Sequence, residues 1–381
     1  MQNQIALIQI VSEQTMQNVL SLIAFKPAKV IYLITKPVED RVEWIVKATE
    51  QAGVSCQYEK IVMKKMPAID ESFRTTFDAI RRGKGCNLTP IVNFTGGTKM
   101  ISIGAYSAAR ENKVPSVYVD TERECFINGG TGNMPCNLNL DSLWDETFRK
   151  SNRKITVPVI LRANGIQGEM YSALAYSNEI YKAAECLFTI YQDNKKRDGI
   201  IAEIRNKLSG KDRLILPRQL METGIKAGFF KCENDKCFIS SNNPFSHDRL
   251  FLSFFEGLWL EFFVMGQLIS TNKFSDIQRG VKYLAKEWDI LAVDSTKLYF
   301  FSCKSGKNFE LSHIYEVAND AQSLGGRFTK KYLCCHRLNK SIQLMENIRK
   351  LEEITGVKVL SGDDLMHITC LLYTSPSPRD S

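Results

Sequence analysis

The stretch Pro90-Ile-Val-Asn93-Phe-Thr-Gly-Gly-Thr-Lys99 leads from a short apolar segment, through a polar turn with paired glycines, into the helix-like segment Lys99–Asn112. A glycine-rich turn that leaves a strand and opens a helix presents free backbone N–H groups, and a helix start favours negative charge. Asn93, Thr95 and Thr98 add amide and hydroxyl groups at the same mouth, and Lys99 adds a positive charge. Such a turn suits a nucleotide phosphate, a ribose or a base edge. It serves equally well as a plain helix entry. The spacing is neither GxxxxGK[ST] nor GxGxxG, so the two familiar phosphate-loop patterns are excluded.

Outward from this turn, the first 120 residues alternate two patterns. Ile5–Val11, Lys29–Thr35, Val54–Val62, Pro90–Phe94 and Val114–Asp120 are short β-branched-rich runs that suit buried strands. Met16–Ala24, Val38–Ala52, Asp70–Arg82 and Lys99–Asn112 have helical spacing between them. This alternation implies a parallel sheet covered on both faces, a Rossmann-like α/β domain. Ligands of such sheets lie beyond the carboxyl ends of the strands. Here those ends read Ser12-Glu-Gln-Thr15, Thr35-Lys-Pro37 and Asn93 to Lys99. From Glu122 to Asn152 the chain becomes loop-rich, which sets an expected domain boundary near residue 150.

A length of 381 residues also asks for two domains. Residues 151–245 read as a helical and hairpin connecting region with winged-helix-like order: helical from 171 to 208, then a hairpin over Phe229–Ile239 turning at Asn234–Asp235. Residues 246–368 read as a second α/β domain, with an apolar helix around Trp259, a hairpin from Glu287 to Lys304 and further alternation to Leu365. The apolar run Phe251–Ile269 carries Glu256 and Glu261, so it reads as a buried helix and not a membrane span. The final stretch Cys370–Ser381 resembles a translated adapter sequence and is left outside the expected fold.

The formal charge of +8 divides unevenly: residues 1–150 hold 18 Lys and Arg against 16 Asp and Glu, and the remainder 32 against 26. The excess therefore leans to the C-terminal part, where a polyanionic partner fits. Eleven scattered cysteines, an odd number in a chain large enough to bury a core, read as reduced thiols in a cytoplasmic setting, without a structural zinc. Met1–Ile8 lacks a basic segment and reads as a strand rather than a signal peptide. The four histidines show no HxxxH-like pairing, and His247 beside Asp248 reads as structural.

Asn93-Phe94-Thr95-Gly96-Gly97-Thr98-Lys99-Met100 closely resembles the signature of the CRISPR-associated Rossmann-fold sensor family, or CARF. Val11-Ser12-Glu13-Gln14-Thr15 resembles that family's other ligand-contacting loop. The resemblance implies a homodimer sharing one cyclic oligoadenylate across its two-fold axis, with cyclic tetraadenylate suited to that symmetry. The ligand-binding residues it implies are Ser12, Gln14, Thr35, Asn93, Thr95, Gly96, Gly97, Thr98 and Lys99.

In the second hairpin, Glu287-Trp-Asp-Ile-Leu-Ala-Val293 and Leu298-Tyr-Phe-Phe-Ser-Cys-Lys-Ser305 flank the turn Asp294–Lys297. Alternation puts Ser302 and Lys304 on one face and Cys303 on the other, and folding the hairpin brings Asp289 opposite Ser302. Upstream, Glu261 lies on the buried helix, where an unpaired carboxylate is costly and a divalent cation shared with Asp289 compensates it. An arginine partner for Glu261 is the plainer alternative. This order resembles the PD-(D/E)xK nuclease core of restriction-endonuclease-like α/β domains, and Ala321–Tyr332 resembles the helix and strand that follow it in CARF-linked nucleases.

The resemblance implies the catalytic set Glu261, Asp289, Ser302 and Lys304, with Mn²⁺ or Mg²⁺ on Glu261, Asp289 and the Cys303 carbonyl. Ser302 stands where the family has an acid, which implies weakened cleavage, with Glu287 as a partial substitute. The implied function is a nuclease of type III CRISPR antiviral defence, activated by a cyclic oligoadenylate and cutting single-stranded RNA or DNA. The alternatives are a ligand-responsive transcription regulator, a catalytically inactive binder of the cyclic nucleotide, and a sensor domain that degrades its own ligand.

Overall fold

The computed structural model describes residues 3–64, 67–150, 155–166, 177–208, 212–234, 236–245, 247–306, 309–325, 329–338 and 341–374. In the first part, strands β1 (Asn3–Ile10), β2 (Pro27–Thr35), β3 (Gln57–Met63), β4 (Thr89–Asn93) and β5 (Ser116–Asp120) alternate with helices α1 (Met16–Phe25), α2 (Arg41–Gln51), α3 (Ile69–Gly85) and α4 (Lys99–Glu111). The sheet order is β3-β2-β1-β4-β5-β6, parallel except for β6 (Cys125–Asn128), which runs antiparallel to β5. Edge strand β3 is largely exposed, whereas β1, β2 and β4 are buried on both faces. Leu7, Val30, Tyr32 and Ile34 point into one core, and Ile8, Ile10, Ile31 and Leu33 point into another against α3 and α4. That two-sided burial is why the sequence reads as unbroken apolar runs there. Strand β6 and helix α5 (Leu140–Trp144) fall within the stretch expected to be loop-rich. Phe126 and Trp144 hold them to the sheet as a tilted aromatic pair at 5.2 Å.

Helix α6 (Val157–Ala163) joins the two parts. Its residues share one apolar core with α1 and α2 on one side and with Trp288, Leu291, Val293 and Ile314 on the other. The backbone N–H of Val157 donates to Asp276 at 2.8 Å, and the Thr15 hydroxyl donates to the carbonyl of Ala163.

The second sheet has the order β13-β12-β11-β10-β9, built from β9 (Asp276–Tyr283), β10 (Lys286–Asp294), β11 (Lys297–Lys304), β12 (Lys330–Cys335) and β13 (Val357–Ser361). The three strands β9 to β11 form an antiparallel meander, and β11, β12 and β13 run parallel. Helices α12 (Ser312–Gly325) and α13 (Ile342–Thr355) lie over one face. The other face packs on a cluster formed by α7 (Asn178–Ile190), α8 (Asn194–Asn206), α9 (Arg218–Lys226), the hairpin β7 (Phe230–Glu233) and β8 (Lys236–Ile239), α10 (Asp248–Ser253) and α11 (Trp259–Ser270). Residues 171–176 and Asp235, which the sequence reading assigned to a helix and a turn, lie outside the described residues.

A one-turn π segment, Phe254–Leu258, links α10 to α11, and the span Asp248–Ser270 is long and apolar enough to cross a membrane. Phe251, Phe254, Trp259 and Phe263 of this span are instead buried in the second core. Two expectations need correcting. Cys232 and Cys237 are cross-strand neighbours in the β7–β8 register, with Cα atoms 4.1 Å apart, and form a disulfide. Cys56, Cys86, Cys136, Cys186, Cys303, Cys334 and Cys335 are free thiols. The fold also continues into the C-terminal stretch as helix α14 (Ile368–Thr374), which buries Ile368 and Leu372 and accepts a bond from Lys273 Nζ at 2.9 Å on the Leu372 carbonyl.

Candidate functional site

Strands β1 and β4 are neighbours at the place where the chain reverses its winding direction, so the loops after them open a crevice at their carboxyl ends. A cavity of about 1020 Å³ occupies that crevice. Ser12, Gln14, Thr35, Thr95, Gly97 and Thr98, from three separate loops, line it together. Asn93, Gly96 and Lys99 do not line it. Lys99 is exposed at the start of α4. Asn93 is 1% exposed and works underneath the loop.

That lower layer is a polar network. The Asn93 amide donates to Gln9 Oε1 at 3.0 Å and to Ser21 Oγ at 2.8 Å, and its oxygen accepts from the Thr95 N–H and hydroxyl at 3.1 and 2.6 Å. The Thr95 hydroxyl in turn accepts from the Val119 N–H at 2.7 Å, so β5 and the turn are locked together. Buried polar groups satisfied in this way fix one loop geometry. The glycines have separate reasons. A Cβ on Gly96 would lie 2.4 Å from the Ile10 carbonyl oxygen, and Gly97 takes φ +87°, a left-handed conformation that favours glycine. On the opposite wall, Ser12 Oγ accepts from Gln17 Nε2 at 3.0 Å and donates to the Gln14 carbonyl at 3.2 Å.

The sequence reading misses Gln9, Asn18 and Ser21, polar residues inside apolar-looking elements whose partners lie up to 84 residues away. It also misses Tyr118, Asp120 and Glu122, which complete the cavity wall from the end of β5. Only their position at a strand end signals them.

In the second domain the β10–β11 register brings Asp289 opposite Ser302. Ser302 Oγ donates to Asp289 Oδ2 at 3.1 Å, and the Cys303 N–H donates to the same oxygen at 2.6 Å. The Cys303 side chain packs in the second core, while Lys304 stays part-exposed and lies 3.9 Å from Glu316. Glu261 of α11 meets Arg279 of β9 at 2.9 Å, and the guanidinium also lies 4.3 Å over the Phe262 ring. Arg279 was not singled out from the sequence, although an arginine partner for Glu261 was the plain alternative. Its signal is slight: β9 also carries Asp276 and Lys282, so nothing in the strand marks Arg279 as the partner of a helix acid.

Burial, then the nearby Asp289, push the Glu261 carboxyl up to about 8 against the pull of Arg279. Burial likewise raises Asp289, although the Cys303 N–H, the Ser302 hydroxyl and Lys304 act in the opposite direction. Glu287 pairs with Lys282 at 3.2 Å on the surface. Among the described residues, no three His, Cys, Asp or Glu side chains form a metal-binding group. Glu261 and Asp289 are two neighbouring half-buried carboxylates, which could form part of a hard cation's shell only after losing their protons and which fall short of a two-metal site. His247 caps α10, its Nδ1 accepting from the Leu250 N–H at 3.1 Å, which is the structural role expected for it.

Residues 6–133, which span most of the Rossmann-like first domain, match the Card1 CARF domain family. No curated protein matches the sequence. The fold of the chain is similar to that of protein VC1899 from Vibrio cholerae, at 15% identity and TM-score 0.74, over 98% of this chain and 99% of that one. It is also similar to Can2 from Sulfobacillus thermosulfidooxidans, solved in complex with cyclic tetra-adenylate, at 17% identity and TM-score 0.71, over 98% and 100%. A third solved structure, a type III CRISPR defence DNA nuclease activated by cyclic oligoadenylate, gives 16% identity and TM-score 0.59 over 98% of this chain and 52% of that chain.

Proposed function

We propose that this chain is a cyclic-oligoadenylate-activated, metal-dependent nuclease of type III CRISPR defence, acting on single-stranded RNA or DNA. The observation that carries the reading is the effector hairpin. Its Asp289 lies against Ser302 and near Glu261, with Lys304 two residues further along the same strand as Ser302, in a chain whose first domain matches the Card1 CARF family. Support for the activator comes from the cyclic tetra-adenylate held by Can2, whose fold this chain shares over nearly its whole length.

The cleft is open, and Met100 and Ile103 of α4 are exposed beside it at 47% and 49%. An apolar strip next to a half-cleft fits a two-fold dimer that closes around a two-fold ligand. Cyclic tetraadenylate is the ring size that such symmetry favours. For activation, the ligand must bind the cleavage-competent arrangement more tightly than the resting one.

At the effector site, Glu261, Asp289 and the Cys303 carbonyl would hold a divalent cation, Mn²⁺ or Mg²⁺, which when bound activates water and screens charge on the phosphate. Lys304 contributes a cation at the mouth of the site, where it offsets charge that builds up on the phosphate oxygens. Ser302 keeps a hydrogen bond to Asp289 and adds no charge, so this chain cuts more slowly than one with an acid at that position.

The test is incubation of the full chain with cyclic tetraadenylate and Mn²⁺, using labelled single-stranded RNA and DNA, beside its Ser302→Glu variant. If neither protein cuts either strand, the nuclease reading is wrong. Sequence-specific duplex binding that Lys304→Ala leaves unchanged would point instead to a transcription regulator.

A further inference from the structure

Between the two domains, next to helix α6, lies a second cavity of about 530 Å³. Its sensor wall includes Glu13, Gln14, Gln17, Thr121 and Glu122, the same residues that line the far side of the ligand cleft. Its effector wall includes Thr296, Lys297 and Leu298, the turn and the first two residues of β11 in the β10–β11 hairpin. The two cavities are thus separated by single stretches of chain, and the hairpin that bears Asp289, Ser302 and Lys304 begins where the second cavity ends.

One residue bridges that gap. Glu124, in the β5–β6 turn two residues after Glu122, accepts from the Thr296 hydroxyl at 3.2 Å and lies 3.9 Å from Lys297 Nζ. Arg149 holds the same carboxylate from behind at 2.8 Å and is itself fixed by Asp145 at 2.7 Å. The Glu124 side chain is only 11% exposed. Its backbone takes φ +56°, a left-handed conformation that a non-glycine residue adopts only when its surroundings impose it. The hairpin tip opposite is tight in the same way, with Ser295 at φ +55°.

Elsewhere the domain junction is mainly apolar, through the buried residues of α6, with hydrogen bonds from the Val157 N–H to Asp276 and from the Thr15 hydroxyl to the Ala163 carbonyl. An apolar, close-packed contact has one good arrangement, whereas a charged clamp facing a cavity has room for a second.

We propose that Glu124 is a positioning residue that passes occupancy of the sensor cleft to the effector hairpin. A ligand drawn against Asp120 to Glu122 shifts the β5–β6 turn. Glu124 then carries Thr296 and Lys297 with it, and the far end of the hairpin reorients Asp289 and Lys304 toward Glu261. The proposal rests on the nuclease reading above.

Its test uses the full chain, with and without Ser302→Glu, carrying Glu124→Gln or Thr296→Val. The readout is the ratio of cleavage rates with and without cyclic tetraadenylate, with activator affinity measured separately. Expected is at least a tenfold fall in that ratio for Glu124→Gln, with the activator-free rate and activator binding each kept within threefold. Thr296→Val gives a smaller fall in the same direction, and the double variant is no worse than Glu124→Gln alone, because both substitutions break one contact. A purely structural role would lower the rates with and without activator together. A ratio within twofold of the parent in Glu124→Gln overturns the proposal, and if that variant misfolds, the same result in Thr296→Val overturns it. If the parent binds activator but cuts nothing, even with Ser302→Glu, the nuclease reading fails and takes this proposal with it.

Discussion

Replacing Glu261 by glutamine should change how stability depends on pH, and the amount follows from the buried pair. Glu261 and Arg279 face each other at 2.9 Å with side-chain exposures of 15% and 3%. The Glu261 carboxyl titrates at about 8 in the folded chain, against an ordinary value of 4.5. Below the ordinary value, folded and unfolded chains both carry this proton, and Glu261 adds no pH dependence. Between the two values the unfolded chain releases the proton while the folded chain keeps it, so stability falls as pH rises. Above the folded value both states are ionised and the loss is complete. At about 1.4 kcal/mol per pH unit, the loss between pH 5 and pH 8 integrates to about 3 kcal/mol.

Glu261→Gln cannot titrate. Measured against the parent, it therefore gains about 3 kcal/mol over that range, whatever constant offset the substitution brings. Urea unfolding at pH 5, 6.5 and 8, followed by tryptophan fluorescence, reads this directly because Trp259 and Trp288 are buried beside and within the effector sheet. Stability curves for parent and variant that stay parallel across the three pH values would refute the burial argument. Arg279→Met supplies the companion measurement. It should cost about 3 kcal/mol or more at pH 8, where the acid loses its partner, and Arg279→Met with Glu261→Leu should recover most of that loss.

The remaining expectations concern the two sites. Gly96→Ala should lower stability by about 1–3 kcal/mol, since the new methyl group meets the Ile10 carbonyl, and should weaken cyclic tetraadenylate binding at least tenfold by calorimetry. Asn93→Ala removes the acceptor for both Thr95 bonds and should weaken the same binding about tenfold while Lys304→Ala leaves it unchanged. Mn²⁺ should raise the melting temperature more at pH 8 than at pH 6, because cation binding must displace protons from Glu261 and Asp289, and Glu261→Gln should abolish the difference. Ser302→Glu should raise Mn²⁺-dependent cleavage at least tenfold in a fluorescent-strand assay, by adding the acid that the hairpin lacks.

The first domain was legible because its signals are local. Buried parallel strands such as Ile5–Ile10 are apolar runs, and the Thr95–Lys99 turn is contiguous, so pattern and motif fall in one window. What was not legible depends on long-range pairing. Gln9 and Asn93 are 84 residues apart, and nothing in either neighbourhood announces the other. The same holds for Arg279, whose meaning depends on a helix packing over its strand. The short strand β6 was read as loop because Cys125–Asn128 is too brief for alternation to show. In the effector domain the hairpin register was readable from its turn, and so was the placing of Asp289 against Ser302. The partners of Lys304 and Glu287, Glu316 and Lys282, were not, since each comes from a neighbouring element.

Helix α6 has a consequence for how such proteins are recombined. Its apolar residues complete the cores of both domains at once, and Gly165 just beyond it packs directly under the Trp44 ring. A cut near residue 150, where the sequence suggests a seam, would leave the first domain without the residues that cover α2, and leave the second domain with α6 presenting a bare apolar side. A chimera that pairs this second domain with a foreign first domain must therefore keep residues 155–166 and supply a surface shaped to receive them. The join is part of the hydrophobic interior, and it travels with both halves or with neither.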